Sequence, residues 1–333
     1  MRSIFLCEDD LIIKKVFPDY IIETLKIKSG LEENVYSRSD LLRDCGDFKD
    51  VEYIFSTWGM SKLSEEEIKT ILPSLKCVFY AAGTVQSFAR PFLNCGVKVF
   101  SAWAANAVPV AEYTVAQIIL ANKGFYKNCT ISSKEEYYKM REELDKYGGN
   151  YNAKIGIIGA GMIGKLVIKM LKNYKLDVLV FDPFLPNDNA KELGVNKVGL
   201  EELFKQCNVI SNHLANNAQT QGILNYNHFA SMPPYSTFLN TGRGAQVVEA
   251  DLVKALHERP DIFAVLDVTD PEPCEDTHEF YTLPNCILTT HIAGSAGKEV
   301  HRMAEYMLIE FEKFICGKPC EYEVSLKMLE TMA

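Results

Sequence analysis

The sequence predicts an α/β protein with two lobes, each built around a parallel sheet. Three observations lead to this fold class. The 333 residues exceed what one hydrophobic core usually serves. Short apolar runs alternate with helical patterns, which favours parallel strands covered by helices on both faces. The alternation stops near residue 110, at a long apolar helix and a charged stretch, and then starts again after residue 152.

The first hundred residues contain the strands and helices of one lobe. Ser64 precedes a run of acidic residues, which predicts a helix over 64–75. Pro91 and Gly96 predict the start and end of a second helix within 89–96. Apolar runs predict buried strands at 51–58, 77–83 and 97–103.

Two helical segments separate the lobes. Residues 109–126 begin with Pro109 and are apolar at helical spacing, so we expect a long, largely buried helix. Residues 132–152 are charged and include glycines near their end, which predicts an exposed helix or arm.

The second alternation starts with the stretch 153–184, which reads as strand, glycine turn, helix and strand. A helix is predicted at 250–260 and a final amphipathic helix at 298–317. Further strands are predicted at 207–215, 236–242, 261–270 and 285–294.

Composition excludes several classes of function. The chain is 47% hydrophobic and 24% charged, as in ordinary globular proteins, and its formal net charge of −9 disfavours nucleic acid as a partner. No run approaches 18 apolar residues, so no membrane span is expected. Ten cysteines without a CxxC pair, and a start without a signal-peptide pattern, predict reduced thiols in the cytoplasm. No His, Cys or Asp cluster has ligand spacing, so no metal site is expected.

A glycine-rich turn carries the strongest chemical signal. Gly159, Gly161 and Gly164 form GxGxxG between an apolar strand and a helix, the context of a Rossmann dinucleotide site. We expect Gly159 to make the tight turn, Gly161 to let a pyrophosphate approach, and Gly164 to pack the helix on the strand. Asp182 ends the next strand and predicts a hydrogen bond to a ribose, and therefore NAD rather than NADP. The alternative is a tight strand–helix turn with an unrelated aspartate.

With these motifs in order, the chain resembles the D-isomer-specific 2-hydroxyacid dehydrogenases. The resemblance covers most of the chain and includes "ANAVPVAEYTVAQIIL", "GIIGAGMIG", "LNTGRG", "LDVTDPEP" and "LPNCILTTHIAG" in the order of that family. It implies that Arg243, Glu272 and His291 form the active site. It also implies an NAD-dependent oxidoreductase acting on a small D-2-hydroxy or 2-oxo acid.

The resemblance further implies which residues meet the ligands. Asp267 would hold the nicotinamide carboxamide. The substrate-binding residues would be Ala82, Gly83, Thr84, Arg243 and His291, with backbone N–H groups of the first three facing the substrate carboxylate. The cofactor-binding residues would be Gly159, Gly161, Met162, Ile163, Gly164, Asp182, His213, Thr241, Gly242, Asp267, His291 and Gly294.

The sequence departs from the family pattern at three places. Thr290 replaces the proline that usually precedes the catalytic histidine, and Val85 and Ser87 replace a glycine and an aspartate. The prolines and threonines expected after the "SNH" strand are missing from "HLANNAQT".

Domain organisation follows from the same resemblance. A flavodoxin-like substrate-binding domain would comprise 1–103 and 298–333, and an NAD-binding Rossmann domain would comprise 104–297. Matching segments of relatives form a dimer contact through 109–126 and 132–152, so a homodimer is expected.

The three active-site residues suit the chemistry. A histidine titrates near working pH and can accept or return a proton, and a carboxylate on its other nitrogen fixes its tautomer. Arg243 offers a flat fork for a carboxylate, and the glycines on both sides are expected to take positive φ and to bring the backbone close to the nicotinamide. Taken singly, Arg243 or Glu272 could be a solvated surface charge.

Two questions stay open at the level of sequence. An NAD(H)-sensing interaction protein of the same fold, similar to a corepressor, is the alternative to an enzyme, while a formate dehydrogenase-like activity is disfavoured by the acidic Glu272. Arg90 could bind an acidic substrate or lie on its helix surface. Four aromatic residues either line a pocket for an apolar substrate or belong to the core: Trp58, Tyr80, Phe88 and Trp103.

Overall fold

The computed structural model describes residues 1–330. The chain divides into two compact units, one formed by Met1–Asn106 together with the chain from Ser295 on, the other by Ala107–Gly294. The two crossings lie three residues from those expected at 103/104 and 297/298.

Short strands alternate with helices through both units. The strands are β1 (Ser3–Leu6), β2 (Leu31–Tyr36), β3 (Tyr53–Ser56), β4 (Cys77–Tyr80), β5 (Lys98–Ser101), β6 (Lys154–Ile158), β7 (Asp177–Phe181), β8 (Asn196–Lys197), β9 (Val209–Asn212), β10 (Thr237–Asn240), β11 (Phe263–Leu266), β12 (Cys286–Leu288) and β13 (Glu323–Val324). The helices are α1 (Asp10–Val16), α2 (Asp19–Ser29), α3 (Arg38–Arg43), α4 (Glu65–Ile71), α5 (Ala89–Asn94), α6 (Trp103–Ala121), α7 (Phe125–Asn128), α8 (Lys134–Glu143), α9 (Met162–Leu171), α10 (Asn187–Leu193), α11 (Leu200–Gln206), α12 (Tyr226–Ala230), α13 (Glu249–Glu258) and α14 (His301–Ile315).

The first unit contains a sheet in the order β13-β5-β4-β3-β1-β2. Its strands are parallel except for β13, which pairs antiparallel with β5. Register places Phe79 opposite both Phe55 and Phe100, and the rings stack with centroids 5.3 and 4.9 Å apart. Phe311 of α14 meets Phe79 edge-on at 5.6 Å. The C-terminal helix therefore completes the core of the first unit.

Local signals marked two helices of this unit. Helix α4 lies within the predicted 64–75, and α5 starts at Ala89, two residues before the expected start at Pro91. Ser64 accepts a hydrogen bond from the Glu67 backbone, and the Glu67 carboxylate accepts one from the Ser64 backbone, as in a capping box. Gly96, with φ of 79°, follows α5 where a stop was expected.

Helix α6 starts earlier than predicted. Its first residue is Trp103 and Pro109 lies inside it, so the expected start at Pro109 is wrong. Three of the six preceding residues, "WAANAV", are alanine, the best helix former, and the helix extends N-terminally past the proline through them. By length and composition α6 could cross a membrane, but 56% of its 18-residue window is buried, as in a core helix.

Helix α8 confirms the exposed helix predicted at 132–152. None of its ten residues, all of which the structure describes, is buried. Lys127 Nζ lies 2.6 Å from a Glu143 carboxylate oxygen, which ties its C-terminal end to α7.

The second unit contains a fully parallel sheet in the order β12-β11-β10-β9-β6-β7-β8. From β6 the chain first adds strands on one side, at β7 and β8, and then on the other, at β9 to β12. The strand order therefore reverses at β6, the switch point where doubly wound sheets bind ligands. The predicted doubly wound parallel fold is confirmed, and its strands are shorter than the apolar runs that predicted them.

Candidate active site

The glycine turn after β6 has the geometry that its sequence predicts. Gly159 has φ of 90°, a value that L side chains rarely adopt. A Cβ on Gly159 would lie 2.7 Å from the His213 carbonyl oxygen, and a Cβ on Gly164 would lie 2.0 Å from the Gly159 carbonyl oxygen. Both positions therefore require glycine, the first for its dihedral angle and the second for the packing of α9 on the turn.

Gly161 differs from its neighbours because the space beside it is open. It is the N-cap of α9, no side chain caps the helix, and a Cβ there would meet no atom within 4 Å. Met162 and Ile163 form the first turn of α9, and Met162 is half-exposed. The first N–H groups of a helix lack internal partners and favour an anion. The turn thus offers a cradle for a phosphate group.

Asp182 follows β7 and lies against the glycine turn. One carboxylate oxygen accepts the Ala160 N–H at 2.7 Å, and the other accepts the Phe184 N–H at 2.8 Å. The carboxylate is therefore held beside the glycine turn, at the end of β7.

His213 follows β9 and connects two parts of the site. Its backbone packs against Gly159, while its ring contacts Ser211 Oγ at 2.9 Å through Nε2 and Thr241 Oγ1 at 3.4 Å through Nδ1. Burial lowers the pKa of His213 to about 3, because the charged imidazolium would lose its hydration. His213 is therefore neutral near pH 7 and does not exchange protons there.

Arg243 lies in a turn after β10. Its Nη1 donates to the Gly242 carbonyl oxygen at 2.7 Å, and its backbone N–H donates to Gln246 Oε1 at 3.3 Å. The other guanidinium N–H groups have no partner within residues 1–330, and the side chain is partly exposed. The arginine thus keeps most of its donors for a ligand.

The glycines beside Arg243 serve a different purpose from the one expected. Neither Gly242 nor Gly244 has a positive φ, so that expectation is wrong. A Cβ on Gly244 would lie 2.0 Å from the Thr269 carbonyl carbon, and a Cβ on Gly242 would lie 2.9 Å from the Asn212 and Gln246 amides. Gly244 is therefore required where the backbone packs on the segment that leads to Glu272, and Gly242 where it packs on the two buried amides.

Glu272 and His291, which lie in the segments that follow β11 and β12, form a pair. His291 Nδ1 lies 2.7 Å from Glu272 Oε1, and both side chains are roughly half exposed, at 48% and 42%. His291 has φ of 57°, in the left-handed region that is uncommon outside glycine and recurs at functional sites. Its Nε2 makes no hydrogen bond within the described chain, so this nitrogen is available to a ligand.

Asp267 holds the segment that carries His291. Its buried carboxylate accepts Thr289 Oγ1 at 2.6 Å and the Ile292 and Ala293 N–H groups at 2.8 and 2.9 Å. Its carbonyl oxygen accepts the His291 N–H at 3.1 Å. Four hydrogen bonds thus fix the loop around His291, a role that sequence reasoning missed.

The model of one protein family matches this unit. Residues 116–293 match the NAD-binding domain of the D-isomer specific 2-hydroxyacid dehydrogenases, which is more than half of the chain. The protein belongs to this family. The glycine turn and Asp182 fit NAD, because they provide an open helix N-terminus for its phosphates and an acid beside it for its ribose.

Individual relatives agree with this assignment. The chain is 26% identical to the D-3-phosphoglycerate dehydrogenase of Archaeoglobus fulgidus over 308 residues, covering 91% of this chain and 57% of the relative. It is 34% identical to the hydroxypyruvate reductase of Blautia hydrogenotrophica over 169 residues, covering 50% of this chain and 51% of the relative. The chain spans about half the length of the curated relatives it matches.

Solved structures share the fold. The apo form of the D-mandelate dehydrogenase of Rhodotorula graminis superposes with a TM-score of 0.80 at 20% identity, over 97% of both chains. The chain therefore has the Rossmann-like two-domain fold that its sequence predicts.

The family's candidate substrate loop lies in the first unit, after β4. Ser101 Oγ donates to the Ala82 carbonyl oxygen at 2.9 Å and also bonds the Gly83 carbonyl. The backbone N–H groups of Ala82, Gly83 and Thr84 donate no hydrogen bond within residues 1–330. Val85, at the position of the family's second glycine, is fully buried and anchors the loop.

The four aromatic residues divide between the core and the surface. Tyr80 and Phe88 are buried with ring centroids 4.8 Å apart, so they belong to the core. Trp103 meets Tyr322 edge-on at 5.6 Å, while Trp58 is 37% exposed. Their burial therefore gives no evidence on a substrate pocket.

A cavity of about 520 Å³ adjoins the Glu272–His291 pair within the second unit. Its apolar lining comes mainly from Val268, Pro273, Phe280 and Leu288, and none of its lining residues is lysine or arginine.

Gly294, a predicted cofactor contact, is the last residue of this unit.

Proposed function

We propose that the protein is an NAD-dependent oxidoreductase that interconverts a D-2-hydroxy acid and the corresponding 2-oxo acid. The 2.7 Å contact between Glu272 and His291, in the NAD-binding domain of this family, is the observation that carries the proposal. The pair lies within the matched NAD-binding domain and leaves His291 Nε2 open to a ligand, which supports an enzyme rather than an interaction protein.

His291 acts as the acid and base. Glu272 engages Nδ1 and so fixes the tautomer, which leaves Nε2 as the atom that takes the hydroxyl proton in oxidation and returns it in reduction. When bound, NAD supplies the hydride acceptor or donor for C2 of the substrate. Asp267 keeps His291 in place through its four hydrogen bonds.

Arg243 binds the substrate. Its free guanidinium N–H groups pair with the substrate carboxylate and with the charge that develops on the 2-oxo oxygen. The unpaired N–H groups of Ala82, Gly83 and Thr84 provide further donors for the carboxylate. Loss of Arg243 should therefore affect both KM and kcat.

The cofactor residues divide by the part of NAD that they meet. Gly159, Gly161 and Gly164, with the first turn of α9, take the pyrophosphate, and Asp182 takes the adenosine ribose. The remaining predicted contacts take the nicotinamide end: His213, Thr241, Gly242, Asp267, His291 and Gly294.

The cavity beside His291 favours a substrate with an uncharged side chain. About half of its lining residues are apolar, and none is a lysine or arginine that could pair with a phosphate. A panel of 2-oxo acids tests this, with NADH oxidation as the readout for pyruvate, hydroxypyruvate, 3-phosphohydroxypyruvate, 2-oxoisocaproate and phenylpyruvate. We expect turnover with the uncharged side chains to exceed turnover with the phosphorylated one. No turnover with any member would overturn the proposed function.

We further propose a homodimer that works in the cytoplasm. Helix α8 has no buried residue and presents Tyr137 and Tyr138, each more than half exposed, for contact with a second copy. All ten cysteines are free thiols in the described chain, which suits a reducing compartment. Light scattering at micromolar concentration should give the mass of a dimer, and a monomer there would contradict the proposal.

A further inference from the structure

Three buried side-chain amides lie beneath the Arg243 turn. Asn212 ends β9, Asn240 ends β10, and Gln246 follows the turn; their exposed fractions are 0, 1 and 0%. Burying an amide is unfavourable unless its polar atoms are hydrogen-bonded. We infer that Gln246, supported by Asn212, is a positioning residue that fixes the direction of Arg243 toward the substrate carboxylate. This inference rests on the proposed function.

The amides are joined in one network. Asn212 Nδ2 donates to Asn240 Oδ1 at 3.0 Å and to Gln246 Oε1 at 2.6 Å. Asn212 Oδ1 accepts the Leu214 N–H at 3.3 Å, and Gln246 Nε2 donates to the Leu214 carbonyl oxygen at 2.8 Å. The network therefore connects the ends of two neighbouring strands.

The network also fixes the backbone on both sides of the Arg243 side chain. Gln246 Oε1 accepts the Arg243 N–H at 3.3 Å, and Asn240 Nδ2 donates to the Arg243 carbonyl oxygen at 3.2 Å. Asn240 Oδ1 accepts the Gly242 N–H at 3.1 Å. With both peptide groups of Arg243 held, the Cα–Cβ bond of Arg243 has a set direction, and only the side chain beyond it can move.

Apolar side chains at these two positions would fill the same space but could not hold the turn. Leucine in place of Gln246 has no acceptor for the Arg243 N–H, whatever its packing. A purely structural role predicts that KM rises as stability falls, whereas a positioning role predicts a KM that depends on the acceptor at Gln246. Replacing Asn212 together with Gln246 separates the two roles, because it lowers stability further without changing that acceptor.

The experiment compares Gln246→Leu with the double variant Asn212→Leu/Gln246→Leu. The measurements are KM and kcat for the 2-oxo acid that the wild type reduces best in the panel, the dissociation constants of oxamate and NADH, and the melting temperature. We expect Gln246→Leu to raise KM and the oxamate dissociation constant about 10- to 100-fold, because a displaced anchor costs orientation. The double variant also loses the bonds of Asn212 to Asn240 Oδ1 and to the Leu214 N–H, so its melting temperature should fall further while KM stays at the Gln246→Leu value. NADH binding should be unchanged.

Two further variants guard against a general loss of stability. Asn285 is a buried amide in the same unit that donates to the Leu256, Arg259 and Ile262 carbonyl oxygens, away from Arg243. Asn285→Leu should lower the melting temperature and leave KM at the wild-type value. Gln246→Glu keeps an acceptor for the Arg243 N–H and should bring KM back toward the wild type.

Three outcomes would overturn the inference: a folded Gln246→Leu with wild-type KM, a double variant whose KM rises further as its melting temperature falls, or an Asn285→Leu variant with the same rise in KM. A wild type that reduces no 2-oxo acid and does not bind oxamate would instead overturn the proposed function. The two failures are therefore distinguishable.

Discussion

Two turns in the second unit each contain two glycines separated by one residue, and the physical reasons for the glycines differ. In the cofactor turn, Gly159 needs its positive φ, and Gly161 leaves an open space beside a helix N-terminus. In the arginine turn, Gly242 and Gly244 have ordinary φ and no space at all, because protein atoms lie where a Cβ would be. One turn is open toward a ligand, and the other is packed against the protein so that its arginine alone projects. A glycine motif thus indicates that other atoms come close to the backbone, but it does not show whether they belong to a ligand or to the protein.

His213 is the physical link between the two turns. Its backbone abuts Gly159, and its ring contacts Thr241, which precedes the arginine turn. We therefore expect that substitutions can impair cofactor binding and turnover separately. Substitutions at His213 should lower stability more than they lower cofactor binding or turnover.

The largest expected effect concerns His291. Replacing His291 with asparagine should lower kcat by roughly 100- to 10,000-fold, because the acid and base is lost. NADH affinity, measured by fluorescence titration, should stay near the wild-type value, since the cofactor turn is untouched.

His257 provides the matched control for His291. It makes a 2.6 Å contact with Glu279 and is also about half exposed, so it is a histidine–glutamate pair of the same kind outside the site. His257→Asn should keep wild-type turnover. Equal losses in the two variants would mean that His291 has no special role.

The next prediction sets the two turns against each other. Gly244→Ala should lower the free energy of unfolding by about 1–3 kcal/mol, because the new methyl group would overlap the Thr269 backbone. Gly161→Ala should change that free energy by less than about 0.5 kcal/mol, because the space is open. The same Gly161→Ala should weaken NADH binding, since its methyl group occupies the approach of the pyrophosphate. Urea unfolding and NADH titration check both, and a Gly244→Ala as stable as the wild type would remove the distinction between the turns.

A smaller effect is expected from the protonation of His213. Burial lowers its pKa from 6.5 to about 3, so the unfolded chain binds a proton that the folded chain refuses between these values. Stability contributed by neutral His213 is complete above pH 6.5 and is lost as the pH falls toward 3. The slope reaches at most about 1.4 kcal/mol per pH unit. Unfolding free energies at pH 7.5 and pH 5 should therefore differ less in His213→Gln than in the wild type. An unchanged difference would show that His213 is accessible to protons in the folded protein.

The smallest effect concerns cofactor choice. Asp182→Ala should narrow the preference for NADH over NADPH by about tenfold, because the carboxylate no longer repels the 2′-phosphate. Asp177, at the other end of β7, is the control acid, and Asp177→Ala should leave the preference unchanged. A wild type that prefers NADPH would contradict the assignment of Asp182 to the ribose.

The sequence by itself determined the features that depend on short stretches of chain. Alternating apolar runs and helical patterns predicted two parallel sheets, and GxGxxG between a strand and a helix predicted the cofactor turn, because φ requirements and helix caps act within a few residues. The capping box at Ser64 and the stop at Gly96 belong to the same class. The resemblance of the "NTGRG", "DPEP" and "THIAG" segments to those of the family predicted Arg243, Glu272 and His291 as one set.

Only the tertiary structure decided how these residues are held. Helix α6 starts at Trp103 although Pro109 predicted a later start. Burial of the helix stabilises it by more than the missing N–H of the proline destabilises it. The contact of Gly244 with Thr269, the four bonds of the Asp267 carboxylate and carbonyl, and the Gln246 amide beneath Arg243 join residues more than twenty positions apart or across separate strands. Asn212 and Asn240, polar residues at the ends of two buried strands, were signals of that network in the sequence. Spacing along the chain cannot show which backbone groups a buried amide will satisfy, because that depends on how neighbouring strands align.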